Sequence, residues 1–453
     1  MTNTIGLDGD EGRKPWERSL GEFLREAVAR NPDKVFLEIG GQEITYQECL
    51  RRSAQTADMF RALGVSRGDR VALFLPNCPE FLYCWFGLSL LGVISVPVNT
   101  AYKRDETAYI LNNSEALALV AHRSLLPVAV PAAQLAPSLR HKLVVGTEGE
   151  EALPLAEDWK NFSESWAAGP DSPGPDRIDL PQVSPQDISM LVYTSGTTGN
   201  PKGVQVTHQM YVAAGQGFAH WTRATPEDRF FTCLPYFHAN AQYYSTMGAL
   251  AAGGTLVMVD RFSASRFWEQ VREARATVVN FIGMMMPVLS KQPPSRHDRE
   301  NLVRLFYGSP AFTPEFLKEF QERFGTEVIV GFGMTETCYG TIEQIDVPRR
   351  PNSSGLAREH PDHRFVNQVS IVDDQGNSLP AGRVGEITIK NPAMMPGYWR
   401  DEEQSRLALR DGWLYTGDLG RMDDDAGALE TVPFPPRPGK PGTAVLRISG
   451  LHP

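Results

Sequence analysis

ISMLVYTSGTTGNPKG, residues 188–203, joins a five-residue apolar run to a loop of hydroxyls and glycines closed by a lysine. Ser195, Thr197 and Thr198 lie among Gly196, Gly199 and Gly203, with Lys202 near the end. Glycine lets backbone N–H groups turn inward to form an anion-binding concavity; the hydroxyls add donors and the lysine adds charge. A polyphosphate needs that combination. A Walker A loop would instead require Gly-Lys followed by Ser or Thr at the start of a helix. Here Pro201-Lys202-Gly203 leads into the strand-like Val204-Gln205-Val206, so the loop is expected to lie between two strands.

Outward from this loop, short apolar runs alternate with longer amphipathic ones, the pattern of a mostly parallel sheet covered on both faces. Upstream, Ser19 and Glu22 form a capping-box pattern ahead of Phe23, Leu24, Ala27 and Val28 on one helical face, and Asn31-Pro32 stops the helix. A strand follows over 34–39, a turn at Gly40-Gly41, and a second capped helix from Thr45 with Glu48. Residues 70–75 read as a buried strand. The uncharged run 81–98 is long enough to span a membrane, but Gly87, Gly92 and Pro97 interrupt it. It is read as a buried helix ending at Gly92 and running into a buried strand. Downstream, strands are expected over 188–193, 255–259, 277–281, 302–306 and 327–330. Beyond residue 346 the runs shorten, as at 369–372 and 384–389, and are separated by turn residues, which predicts antiparallel β structure.

Composition narrows the function classes. The 453 residues suggest roughly three units of about 150 each. The 42% hydrophobic and 22% charged shares are those of an ordinary globular protein. A net charge of −10, from 44 basic and 54 acidic side chains, favours neither nucleic acid nor an anionic membrane. The five scattered cysteines (Cys49, Cys78, Cys84, Cys233 and Cys338) fit neither a disulfide framework nor zinc spacing and point to a reducing compartment, the cytoplasm. No signal-peptide core follows the acidic start at Asp8, Asp10 and Glu11.

The loop at 193–203 resembles the phosphate loop of the adenylate-forming superfamily, and four further segments match in the family's order. Leu234-Pro235-Tyr236-Phe237-His238 resembles the segment beside the acyl pocket. Tyr307-Gly308-Ser309-Pro310 resembles the adenine-binding strand end, and Gly331-Phe332-Gly333-Met334-Thr335-Glu336 the aromatic-Gly-x-Thr-Glu motif. The segment 411–418, ending in Asp418, resembles the ribose-binding stretch. The resemblance covers roughly residues 20 to 424. It implies an α/β fold of two layered subdomains plus a small distorted β-barrel, with ATP and Mg²⁺ as cofactors and coenzyme A as co-substrate.

The resemblance also distributes roles. Thr194, Ser195, Gly196, Thr197, Thr198, Gly199 and Lys202 would cradle the phosphates, and Gly308, Ser309, Pro310 and the stretch Gly331, Phe332, Gly333, Met334, Thr335 would hold the nucleotide. Asp418 would take the ribose hydroxyls. Thr335, Glu336, His238 and Lys202 would act in catalysis, with Glu336 and Thr198 at the metal. The chemistry agrees: a carboxylate attacks the α-phosphate and expels pyrophosphate, and because both partners are anionic, positioning and charge neutralisation dominate. Phe237, His238, Asn240, Gly283, Met284 and Gly333 are expected to line the acid's pocket. Asn240 and Gln242 make it too polar for a long acyl tunnel.

The stretches NCPEFLYCWFGL, ASRFWEQV and QPPS look similar to the branch activating carnitine, crotonobetaine and related short acids. A small or medium carboxylic acid is therefore expected. The alternatives are a non-catalytic ATP or acyl binder and an adenylating enzyme of luciferase-like or peptide-synthetase-like kind. The expected division is a leader over 1–18, a first α/β subdomain over 19–190 whose start packs on the second, a second subdomain with the phosphate loop over 191–345, and a small β subdomain over 346–424. Residues 425–453, with five prolines between Val432 and Gly442, depart from the family pattern. They stand where the family's C-terminal domain and its lysine are expected, which predicts impaired turnover. Small-molecule partners, no nucleic acid, no membrane span and a possible homodimer complete the expectations.

Overall fold

Local capping sets the first elements. Ser19 Oγ accepts from the backbone N–H of Glu22 at 3.2 Å, and the Glu22 carboxylate accepts from the Ser19 N–H at 2.7 Å, which starts the helix Leu20–Arg30. Thr45 Oγ1 caps the helix Tyr46–Ala62 in the same way, accepting from Glu48 N–H at 3.1 Å. The helix Pro79–Leu91 ends on Gly92 at φ 67°, a left-handed conformation that glycine adopts without a Cβ clash, and the chain turns into the strand Ile94–Pro97. This helix is buried on every side. No helix among the described residues is long and apolar enough to cross a membrane.

The computed structural model describes residues 13–146, 158–167, 181–194, 199–309, 312–345, 347–350, 352–423 and 429–431. Two large sheets form its frame. The first has seven strands in the spatial order Trp159–Asn161, His141–Val145, Ala118–His122, Arg70–Phe74, Ile94–Pro97, Ile188–Thr194 and Lys202–Thr207. It is parallel except for the last pair. The second has nine strands in the order Leu356–Ala357, Thr337–Ile342, Glu327–Met334, Leu305–Ser309, Val278–Ile282, Arg229–Thr232, Thr255–Met258, Val35–Ile39 and Gln42–Thr45. Strand Val35–Ile39 runs parallel to Thr255–Met258 within the second sheet. The two strands around the phosphate loop pair within the first sheet, and position 190/191 falls inside a strand.

The helix His208–Trp221 lies between the layers. The Tyr211 hydroxyl lies 3.1 Å from Met190 Sδ of the first sheet, and Tyr339 of the second sheet donates to the Ala213 carbonyl at 2.9 Å. One apolar core runs through both layers. A separate antiparallel sheet orders Gln368–Val372, Gly385–Lys390, Trp413–Met422 and Leu409–Arg410, with Leu429–Thr431 also on Trp413–Met422. Its small core of Ile371, Ile387, Ile389 and Leu429 packs against Phe332 of the second sheet. The expected strand at 302–306 begins later, at Leu305–Ser309. Asn301 Oδ1 accepts from Val303 N–H at 3.0 Å, so a side-chain turn holds the preceding residues and leaves Leu302 exposed. The leader before residue 13, the Pro/Gly-rich stretch 169–176, which reads from the sequence as a polar linker, and all of the tail except 429–431 lie outside the described residues.

Candidate active site

Strands Ile188–Thr194 and Lys202–Thr207 form an antiparallel hairpin that presents the phosphate loop, with Thr194 opposite Lys202. Ser195, Gly196, Thr197 and Thr198 lie outside the described residues. The hairpin is clamped from one side by a later segment: Trp399 N–H donates to the Gly203 carbonyl at 2.7 Å and Gln205 N–H to the Gly397 carbonyl at 3.2 Å. From the other side Tyr109 donates to the Pro201 carbonyl at 3.2 Å, and Tyr193 to Asn113 Oδ1 at 2.6 Å. Lys202 Nζ donates to Gln404 Oε1 at 2.5 Å and lies 5.3 Å from the Tyr398 ring centroid. Lys202, Tyr109, Asn113, Trp399 and Gln404 line a cavity of about 240 Å³ behind the loop.

Opposite the hairpin, Glu327–Met334 turns at Thr335-Glu336 into the antiparallel strand Thr337–Ile342. The turn aims Glu336 inward, where it is 6% exposed. Tyr398 donates to Glu336 Oε1 at 2.8 Å. Burial raises the Glu336 pKa, opposed by hydrogen bonding, including the Tyr398 hydroxyl, and by the charge of Lys202. Asp418, on the strand Trp413–Met422, is pushed up to about 6 by burial and then by the negative charges of Glu336 and Glu386. The Glu336 carboxylate thus raises the pKa of Asp418, while the charge of Lys202 favours ionised Glu336. Such a cluster suits a cation or hydroxyl donors more than it suits a third anion.

The expected acid wall divides. The Phe237 and His238 rings lie 4.5 Å apart between centroids with planes tilted by 52°, and although His238 is exposed as a residue, desolvation pushes its pKa down to about 4. Asn240 Oδ1 accepts from Asn280 Nδ2 at 3.2 Å. Gly283, at φ 39°, donates its N–H to the Ser309 carbonyl at 2.8 Å, and Met284 is exposed while Met285 and Met286 are core. Gly333 and Ser309 are exposed, whereas Gly308 and Gly331 are buried. Pro310 lies outside the described residues. Gln242 does not face this wall: it accepts from the Tyr211 hydroxyl at 2.5 Å and donates to the Tyr236 carbonyl at 2.6 Å, fully buried. Residues Ala241–Thr246 form a π-helix, which shifts the side-chain phase from that of an α-helix.

The family model of AMP-binding enzymes matches residues 24–399, most of the chain. The chain belongs to the AMP-binding enzyme family. It is 36% identical over 421 residues to a crotonobetaine/carnitine–CoA ligase of Escherichia coli O9:H4 (strain HS), covering 90% of this chain and 78% of that relative. In fold it is similar to the anthranilate CoA ligase AuaEII in complex with anthranoyl-AMP, with TM-score 0.83 and 25% identity, over 93% of this chain and 79% of that one. The inhibitor-bound N-terminal domain of FACL13 from Mycobacterium tuberculosis gives TM-score 0.79 at 26% identity, over 92% of this chain and 99% of that one. Enzymes of this family that form acyl-CoA use ATP, Mg²⁺ and coenzyme A.

Does this AMP-binding enzyme have residues that fit Mg²⁺? Among the described residues no three His, Cys, Asp or Glu side chains gather around one point. A buried, acceptor-only carboxylate at Glu336, fixed by Tyr398, nevertheless fits a hard cation that takes its other ligands from phosphate oxygens and water. Sequence reasoning missed Tyr398, Gln404 and Trp399, although Pro396-Gly397 just ahead of them is a readable turn signal. It also missed Tyr243, which donates to the Thr335 carbonyl at 3.0 Å and fixes the turn from behind.

Proposed function

We propose that this AMP-forming acid–CoA ligase activates a small or medium carboxylic acid as its acyl adenylate before transfer to coenzyme A. The observation that carries the reading is the convergence of Lys202 and Asp418, from two strands, and Glu336, from the turn between two others, on one region at the phosphate-loop hairpin. In this reading the acid's carboxylate attacks the α-phosphorus, one oxygen–phosphorus bond forms, and the bond to pyrophosphate breaks. Thr335 donates its hydroxyl to the α-phosphate, Lys202 and the loop hydroxyls hold the leaving phosphates, and His238 borders the carboxylate. Mg²⁺, held by Glu336 and by Thr198, would offset phosphate charge. Asp418 accepts from the ribose hydroxyls. Acid-dependent ATP–pyrophosphate exchange across straight-chain acids from C2 to C18 tests the proposal. Exchange is expected to peak at short chains; exchange confined to C16 and longer would refute the substrate class, and absence of exchange with every acid would leave only a binder.

The raised pKa of Asp418 gives a second expected result. As pH falls through about 6 the carboxylate takes up a proton and loses acceptor capacity. The ionised fraction falls from about 0.9 at pH 7 to about 0.1 at pH 5, so adenosine should bind about tenfold more weakly at pH 5. Adenosine carries no phosphate to titrate in this range. Asp418→Asn should bind weakly at both pH values with no pH slope. An equal slope in both proteins would remove Asp418 from the ribose site. A homodimer and a cytoplasmic place of action belong to this proposal as well; the five free thiols support the second, and the mass from sedimentation equilibrium checks the first.

A further inference from the structure

Behind the 331–333 segment lies an arginine that the ligase reading does not use. Arg358 is 1% exposed. Its Nε donates to the Thr341 carbonyl at 2.8 Å, and its Nη1 to the Tyr244 hydroxyl at 3.0 Å and the Cys338 carbonyl at 3.2 Å; its Nη2 donates to the Tyr307 hydroxyl. The rings of Trp221, Tyr244 and Tyr307 surround the guanidinium at 4.7, 5.2 and 5.5 Å. Every one of these partners is neutral. Among the described residues no Asp or Glu forms a salt bridge with Arg358, although buried charges are ordinarily paired. Neutral acceptors and ring faces reduce the cost of burying the cation without cancelling its charge.

The site is within reach of solvent through glycine. Residues 331 and 333 face the same side of their strand. A Cβ on Gly331 would lie 2.6 Å from Arg358 Nη2, so a side chain there would displace the guanidinium. Gly333 is exposed, and a Cβ on it would lie 3.2 Å from the Tyr244 hydroxyl and 3.7 Å from Arg358 Nη2. An atom placed at that accessible position faces Arg358 Nη2 across the Tyr244 oxygen, whose own proton goes to the Cys338 carbonyl at 3.0 Å. Two residues further on is Thr335, where the reading above puts the reacting phosphate. An acid with its reacting carboxylate beside Thr335 and its chain over Gly333 would point its far end at Arg358.

We infer that Arg358, positioned by the Tyr244 and Tyr307 hydroxyls that accept from it, forms a subsite for a second carboxylate at the far end of the acid, so that the preferred substrate is a short dicarboxylic acid. The inference rests on the ligase reading and names its substrate class. Arginine suits the role because its fixed fork can pair a carboxylate through two nitrogens. The same cation disfavours an acid bearing a quaternary ammonium group, through like-charge repulsion in a desolvated place.

Isothermal titration of the full chain separates the possibilities. The probes are ATP with Mg²⁺ and 5′-O-sulfamoyladenosine acylated on its sulfamate nitrogen. The acyl groups are malonyl, succinyl or glutaryl, the straight alkanoyl of equal carbon count, and 4-(trimethylammonio)butanoyl. The best carboxylated probe should bind at least about tenfold tighter than its alkanoyl counterpart, and the cationic probe at least about tenfold weaker. In Arg358→Met the carboxylate preference should shrink to within about twofold; where that variant does not fold, the wild-type ranking decides alone. Equal or tighter alkanoyl binding overturns the subsite and leaves the ligase reading standing. A folded Arg358→Met that keeps the preference overturns the assignment to Arg358. If neither ATP nor any acylated probe binds, the ligase reading fails and this inference fails with it.

Discussion

Glu336→Gln is expected to reduce acid-dependent ATP–pyrophosphate exchange by about 10²- to 10³-fold without lowering thermal stability. The two halves of that result come from the same burial. Glu336 is enclosed, and desolvation raises its pKa, so the folded protein holds this carboxylate at a cost in free energy. Glutamine removes the desolvated charge while its carbonyl can still accept from the Tyr398 hydroxyl, which now donates to Oε1 at 2.8 Å. Stability should therefore hold or rise. In the proposed reaction, however, charge is gathered on the phosphate oxygens as pyrophosphate leaves, and a neutral amide cannot hold the cation that offsets it. A factor of 10² to 10³ corresponds to about 3–4 kcal/mol of lost transition-state stabilisation. Exchange within about threefold of the parent would sink the role of Glu336. A marked fall in melting temperature would show that its part is structural. Tyr398→Phe bears on the same geometry, because it frees the carboxylate without neutralising it.

The features legible in the sequence are those decided within a few residues. Ser19 with Glu22 and Thr45 with Glu48 cap helices through contacts three residues apart, and Gly92 stops a helix by its own backbone freedom. Strand 70–74 follows from an apolar run too short for a helix and too uniform for an exposed strand. The phosphate hairpin was readable because glycines, hydroxyls and lysine sit together. Arg358 was not readable: after Gly355-Leu356-Ala357 an arginine looks like surface, and its partners Tyr307 and Tyr244 stand 51 and 114 positions away. The contact of Lys202 with Gln404 spans 202 positions and depends on how the segment Gly397–Gln404 crosses the hairpin. Gln242 reads from the sequence as a polar neighbour of the acid pocket, and the π-helical turn at Ala241–Thr246 takes it inside. Local signals thus located the chemistry, and packing chose the side chains around it.

Gly308→Ala is expected to destabilise the fold by roughly 3 kcal/mol and to weaken adenosine binding by about 10²-fold. Gly308 sits in the centre of the second sheet, paired with Phe281 on one side and Val330 on the other. A Cβ at this position would lie 2.2 Å from the Phe281 carbonyl oxygen and 2.7 Å from its Cγ. The first of these atoms is backbone, so no rotamer change relieves the contact, and the strands Val278–Ile282 and Leu305–Ser309 must separate. Separation strains the pairing at Ile282 and Ser309 and the bond from Gly283 N–H to the Ser309 carbonyl, now 2.8 Å. Each hydrogen bond lost contributes about 1 kcal/mol and overpacking adds 1–3, roughly the total given. The functional effect follows from the same movement, since Ser309 and Gly283 line the proposed nucleotide and acid surfaces and a shift of about 1 Å is enough to spoil positioning. Ser309→Ala, on an exposed side chain of the same strand, should leave the urea midpoint where it is. If Gly308→Ala unfolds at the parent's midpoint, the two strands are not as close as 2.2 Å requires, and the argument for a rigid wall at this end of the sheet fails with it.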